Sequence, residues 1–308
     1  MGKNFNRATV LCIINHKGGV GKTVTTSTLA GILADLGYKV LVIDNDHQGN
    51  TSQLYDLYYN TPQSITDIFS MNANSRTYES VCRCIYHTSL ENVDLIPSND
   101  DFALTIDDVS NDRSRIIQYI LRDTISLIEN DYDYIVIDNG PWYNISTINA
   151  LATSDYVITP TESDAFGYNG LISLLKKINT IKSELNPAME FKGVFLTKFN
   201  SANGDHRKTY EFYEDNVSAF IPKFISQDSK ACRCTTELEL PSKLCPNAKF
   251  VWDYKMLLLF LNILPPDTQG KLSKEVSLHL TRSEYDGKSI TKRFNTETNN
   301  KIADALGF

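Results

Sequence analysis

Near the start of the chain, residues 8–24 read ATVLCIINHKGGVGKTV, and this stretch constrains the fold more than any other. An apolar, β-branched run stops at a glycine-rich turn. A segment with apolar residues at helical spacing then runs to Gly37, a residue suited to end a helix. A strand that is apolar on both faces belongs inside a parallel sheet, covered on both sides. The helix after the turn begins with N–H groups that have no partner within the helix, which makes its start a site for anions.

The pattern repeats along the chain. Residues 39–46, 92–98, 132–140, 155–161 and 192–200 read as further buried strands, and 113–131 and 170–186 as helices. Alternating strands and helices predict an α/β fold, a doubly wound, mostly parallel sheet flanked by helices. Ligands in such folds bind beyond the carboxyl ends of the strands, which directs attention to the loops after residues 15, 43, 137, 159 and 198. We expect the main domain to span 1–245. A divergent helical region, 246–308, is expected to pack on it and to bury MLLLFLNIL (256–264).

Composition excludes several classes. A chain of 308 residues with 42% hydrophobic and 22% charged residues can bury a sizeable core. No apolar run reaches the roughly 18 residues of a membrane span. The apolar run after Lys3 and Arg7 is too short for a secretory leader, so a cytoplasmic location is expected. The net charge of −7 is uneven, with 13 basic against 23 acidic residues over 1–191 but 9 against 7 over 192–250. The later part of the chain thus has room for a local basic face.

The glycine-rich turn ends in Gly21-Lys22-Thr23, the end of the G-x-x-x-x-G-K-[ST] phosphate-loop pattern, while His16 stands where the pattern begins with glycine. Backbone N–H groups over Gly18, Gly19, Val20, Gly21, Lys22, Thr23 and Val24 converge on phosphate, Lys22 reaches the β- and γ-phosphates, and the Thr23 hydroxyl faces Mg²⁺. That loop needs one lysine. Lys17 is a second.

The segment KGGVGKT resembles the deviant Walker A motif of the ParA/MinD family of ATPases, closest in kind to ParA/Soj DNA-partitioning members. The resemblance runs over roughly residues 8–240. It implies that Lys17 reaches across a homodimer to phosphates bound by the other subunit, so that association depends on ATP and Mg²⁺. VLVIDNDHQGNTSQL is similar to the family's first switch, with His47 in place of a usual proline. YDYIVIDNGPWYN is similar to its Walker B strand and second switch, with Asn139 and Gly140 before the retained Pro141. These matches imply Lys17, Lys22 and Asp46 as catalytic residues, Asp46 orienting the attacking water. They imply Thr23, Asp44 and Asp138 around the metal. His47 reads as a solvated loop residue rather than a ligand, and Trp142 as local packing rather than a partner contact.

The same resemblance implies non-specific DNA binding and a ParB-like, centromere-binding adaptor protein as partner, hence a nucleoid-associated location. Candidate DNA contacts are Arg207, Lys208, Lys223, Lys230 and Arg233. The alternative is a MinD-type positioning ATPase at a membrane. The final segment TNNKIADALGF makes a poor amphipathic anchor, with Lys301 as its one cation, so no stable membrane association is expected. VCRCI and ACRCT would hold zinc or an iron–sulfur cluster only if the two pairs met. As strands they would be small apolar filling, i and i+2 sharing a face.

Overall fold

The computed structural model describes residues 7–59, 61–163 and 167–282. The chain begins with β1 (Thr9–Ile13), α1 (Lys22–Asp35), β2 (Val40–Asn45) and the short helices α2 (Asn50–Leu54), α3 (Ile65–Ser70) and α4 (Tyr78–Cys82). There follow β3 (Tyr86–His87), β4 (Val93–Ile96), α5 (Phe102–Asn111), α6 (Ile120–Ile128), β5 (Tyr134–Asn139) and α7 (Ile145–Thr153). Next come β6 (Tyr156–Glu162), α8 (Gly167–Glu184), β7 (Glu190–Phe199), α9 (Gly204–Asn216) and β8 (Phe220–Ser226). Four helices close the described part: α10 (Ser229–Thr236), α11 (Pro241–Leu244), α12 (Lys249–Leu261) and α13 (Pro266–Arg282).

The strands form one sheet in the order β3-β4-β2-β5-β1-β6-β7-β8, parallel except for the β3–β4 pair. Alternate residues of the central strands serve opposite apolar layers. Leu11, Ile13, Val42 and Val136 pack with α1 and α12, while Cys12, Ile14, Ile43 and Ile137 pack with α3, α6 and α7. The phosphate loop leaves the carboxyl end of β1, between β5 on one side and β6 on the other. The chain's path across the sheet diverges there, the point at which folds of this kind form a ligand-binding crevice.

α12 contains the MLLL run and is buried as expected. Phe250, Tyr254, Leu257 and Leu258 lie in the same layer as α1. Polar ties fasten this region to the sheet: Tyr254 shares a hydrogen bond with Thr25 on α1 (2.8 Å), and the Tyr134 hydroxyl donates to the Ile263 carbonyl (2.9 Å). The segment 298–308, read above as a poor membrane anchor, lies outside the described residues. Among those described, no helix is long and apolar enough to cross a membrane.

Some expectations need correction. Residues 113–119 are not helical, because Asp112 accepts from both the backbone and the hydroxyl of Ser114 and Arg115 turns to the carbonyls of Phe69 and Met71. Those contacts draw the chain into a strap, and the helix starts at Ile120. The Cys-Arg-Cys pairs are not strands either. Cys82 ends α4, whereas Cys232 and Cys234 sit on α10. Cys84 belongs to the layer on one face of the sheet and Cys234 to the layer on the other, so the two pairs do not meet.

The largest correction concerns Lys223, expected on a DNA-contacting surface. It lies on β8, an edge strand that the sequence pattern missed, and is only 2% exposed beneath α12. Its ammonium donates to Asp253 at 2.6 Å, and the other oxygen of Asp253 accepts from the Ser226 backbone (2.8 Å). Burial pulls the Lys223 pKa down and Asp253 opposes that shift. A buried ion pair contributes little net stability when intact, but breaking it strands a charge. Lys223→Met should therefore cost about 3–5 kcal/mol in urea unfolding. Adding Asp253→Asn, which removes the stranded charge and keeps an acceptor for Ser226, should restore at least half of the loss. No recovery in the double variant would show that the pair is not what joins β8 to α12.

Candidate functional site

The loop turns at two glycines, and side chains of β7 hold two of its carbonyls. Gly19 and Gly21 occupy the left-handed region (φ 79° and 88°), which residues with a Cβ rarely adopt. Gly21 is also the N-cap of α1 and supplies no side-chain cap, and the first turn carries no acidic residue. The amides of Lys22, Thr23 and Val24 therefore have no capping side chain. Thr197 donates to the Val20 carbonyl (2.8 Å) and Lys198 to the Gly19 carbonyl (2.6 Å). In a trans peptide the N–H lies opposite the C=O, so the amides of Val20 and Gly21 point away from Lys198 and Thr197. The Val20 side chain is fully buried and Val24 packs against the core, so both offer only backbone to a ligand. Lys22 is buried and its ammonium donates to the Lys17 carbonyl at 3.2 Å, beside Asp138 and Asp46. His16, in place of glycine, lies edge-on to Tyr143 with ring centroids 5.7 Å apart.

Three carboxylates gather at the carboxyl ends of β2 and β5, with distinct surroundings. Asp138 is fully buried. One of its oxygens accepts from Thr23 (2.8 Å) and Thr51 (2.6 Å), and the other has no hydrogen-bond partner among the described residues. Burial raises its pKa, opposed by those hydroxyls and by Lys22. A buried carboxylate oxygen without a partner, beside a threonine hydroxyl at a helix start, suits a hard divalent cation. Asp44 is occupied otherwise. One oxygen accepts from the backbone and hydroxyl of Ser52 (2.7 and 2.6 Å) and the other from the Asp46 amide (3.3 Å). These bonds make it the residue that ties α2 to the end of β2.

Asp46 accepts from the Gln48 amide (3.1 Å), and a ring nitrogen of His47 lies 3.6 Å from the same oxygen. A Cβ on Gly140 would stand 2.9 Å from that oxygen, so the glycine at the family's usual proline position is what lets Asp46 lie against the second switch. Asn139 donates to the Ile13 carbonyl (3.0 Å), and Asn45 donates to Asn139 (2.7 Å), linking the ends of β1, β2 and β5. The Trp142 side chain is 60% exposed, which corrects the packing role expected for it.

Lys17 stands at the rim with 40% of its side chain exposed. Its ammonium meets Glu162 at 3.3 Å, and Lys198 meets the other oxygen of Glu162 at 2.7 Å. Glu162, Thr197, Lys198, Thr51 and Gly140 were not among the expected site residues. The loop after residue 198 had been marked by the fold alone, but nothing in the pattern links β7 to the carbonyls of the phosphate loop.

The remaining DNA candidates have partners in their own segments or are exposed. Arg207 turns back to the Ser201 carbonyl, and Arg233 pairs with Glu237 one helical turn on (3.0 and 3.2 Å). Lys208 is exposed beside Asp205, and Lys230 is exposed on α10. Lys243 and Lys249, not considered earlier, are exposed farther along the same region.

A family model described as an AAA domain matches residues 8–191. The chromosome partitioning protein ParA of Myxococcus xanthus is 33% identical over 204 residues, 66% of this chain and 69% of that protein. The sporulation initiation inhibitor protein Soj of Bacillus subtilis is 34% identical over 193 residues, 62% of this chain and 73% of its own length. Among solved structures, the ATP complex of a Cyanothece McdA variant superposes with a TM-score of 0.72 at 19% identity. It covers 85% of this chain and 99% of that one, a likeness of fold. With this match, these relatives and a loop that carries both lysines, the chain belongs to the AAA-domain family and, within it, to the ParA/MinD group of P-loop ATPases.

Proposed function

We propose that this ATPase drives DNA partition of the ParA type. ATP and Mg²⁺ join two copies into a homodimer, and the dimer binds DNA without sequence preference. A ParB-like, centromere-binding partner stimulates hydrolysis and resets the cycle. The observation that carries this reading is the division of labour between the two loop lysines. Lys22 is buried and turned into its own loop, while Lys17 stands at the open rim. A cation held at the rim can serve a phosphate on a facing subunit, so association would follow the γ-phosphate.

Hydrolysis in this reading rests on positioning and charge. The outward amides of 18–24 and Lys22 hold the phosphates. Asp138 and the Thr23 hydroxyl fit Mg²⁺ by the unpartnered carboxylate oxygen described above. Bound Mg²⁺ supplies positive charge against the β- and γ-phosphates. Asp46 accepts a hydrogen bond from the attacking water and orients it in line, and Gly140 gives Asp46 the room to do so. Thr51 bonds Asp138 and Ser52 bonds Asp44, so the first switch feels both carboxylates. DNA contacts would come from the exposed Lys208, Lys230, Lys243 and Lys249 through the phosphate backbone. Such a protein would work in the cytoplasm, on the nucleoid.

Lys22→Ala should abolish nucleotide binding in calorimetric titration. Asp46→Ala and Gly140→Ala should both keep Mg-ATP affinity within about 3-fold while turnover falls at least about 10-fold, the second by displacing the carboxylate. Ordinary turnover in Asp46→Ala would remove it from the role assigned here. For partition, random-sequence DNA should be bound with ATP but not with ADP, more weakly as salt rises, and not by Lys17→Ala. Binding that ignores the nucleotide would count against the proposal.

A further inference from the structure

We infer that Tyr58 is a positioning residue for hydrolysis, whose ring sets where the Asp46 carboxylate stands. This extends the role proposed above for Asp46, on which it rests, by naming the group that holds the first switch behind it. The observations concern a glycine, an aromatic ring and an exposed carboxylate.

Asp46 begins a tight turn. Its backbone carbonyl accepts from the Gly49 amide (2.9 Å) and its side chain from the Gln48 amide (3.1 Å), so the carboxylate goes where the turn goes. Gly49 closes the turn in the left-handed region (φ 59°) and is the N-cap residue of α2. After α2 the chain reverses at Asp56 (φ 58°), and Tyr58 folds back against the helix start. Its ring fills the space that a side chain at position 49 would take, because a Cβ on Gly49 would overlap the ring carbons. Gly49 and Tyr58 are thus a matched pair, each suited to the other.

The ring is held from outside the switch. The Tyr58 hydroxyl donates to Asp100 (2.5 Å), and the His47 carbonyl oxygen lies 3.5 Å from the same hydroxyl. Asp100 stands on the loop after β4, and that loop is fixed in turn. The Ser98 amide donates to the Ser52 hydroxyl (2.8 Å), while the Asn99 side chain bonds Ser64 (3.0 Å) and Thr66 (2.6 Å). Tyr58 is buried, so its ring is clamped between this loop and the turn that carries Asp46. A hydrogen bond to an ionised acceptor is among the stronger ones, which suits the clamp. With the ring gone, Gly49 takes other backbone conformations, and Asp46 loses its fixed distance to an attacking water. The phosphate-binding loop lies elsewhere, before α1, so nucleotide affinity does not depend on the clamp.

The test is a split between rate and affinity. Tyr58→Ala should lower kcat about 10-fold while the Kd of Mg-ATP, by calorimetric titration, stays within about 3-fold. Tyr58→Phe keeps the ring and loses only the hydroxyl bond, so it should recover part of the rate and fall about 3-fold below the parent. Asp100→Ala should match it, and combining the two should add nothing. Gly49→Ala, which forces the ring out, should fall about as far as Tyr58→Ala, and joining those two should cost little more. If Tyr58→Ala does not fold, Tyr58→Phe and Asp100→Ala decide: equal losses in kcat that do not add support the inference, and unchanged turnover in both overturns it. A folded Tyr58→Ala with unchanged kcat, or with affinity lost as much as rate, overturns it too and leaves Asp46 in its role. In an Asp46→Ala background, Tyr58→Ala should cost nothing further. If Asp46→Ala itself turns over normally, the reading of Asp46 fails, and the inference falls with it.

Discussion

The start of α1 offers its amides to the crevice without a capping side chain, and the rest of the site is arranged around that fact. Left alone, such a helix end is incomplete, because donors with no partner favour an anion. The surrounding chain preserves this condition. Gly19 and Gly21 turn the backbone where a Cβ would be strained, and Thr197 and Lys198 hold the opposing carbonyls from β7. A loop made only of flexible glycines would not stay in this orientation, whereas one pinned at its oxygens is ready before the ligand arrives.

The carboxylates add a second tension. Asp44, Asp46 and Asp138 lie close together in a buried setting, and burial raises the pKa of Asp44 and Asp138. Repulsion among them is reduced by Lys22 and by hydroxyls from the first switch, not by full pairing. A site with excess negative charge beside excess amide donors is matched by a cation and an anion arriving together, as Mg²⁺ and a nucleotide do. Those hydroxyls come from Thr51 and Ser52, so the same two carboxylates also hold the segment that follows β2.

Much of this was legible in the sequence because it rests on period and punctuation. β1, β2, β5, β6 and β7 are apolar on both faces, and the glycines after β1 mark a turn that must take positive φ. What stayed hidden depends on distant residues. Lys223 reads as a surface cation within FIPKFIS, but its fate was decided by Asp253, thirty positions away. Residues 113–119 have helical spacing, yet local Asp112–Ser114 bonds and the reach of Arg115 to α3 override it. Asp44 and Asp46 look alike two positions apart, and only the fold gives one to Ser52 and leaves the other against Gly140. The contacts of Glu162 with Lys17 and Lys198 join the phosphate loop to the ends of β6 and β7 and leave no mark in any one of the three segments.

The central claim is that the γ-phosphate holds two copies together through a lysine given by each to the other. The most direct measurement is the solution mass of the Asp46→Ala protein at saturating Mg-ATP, compared with saturating Mg-ADP. The account predicts twice the monomer mass with ATP and the monomer mass with ADP. A monomer under both conditions, with ATP binding verified in the same sample, would contradict it.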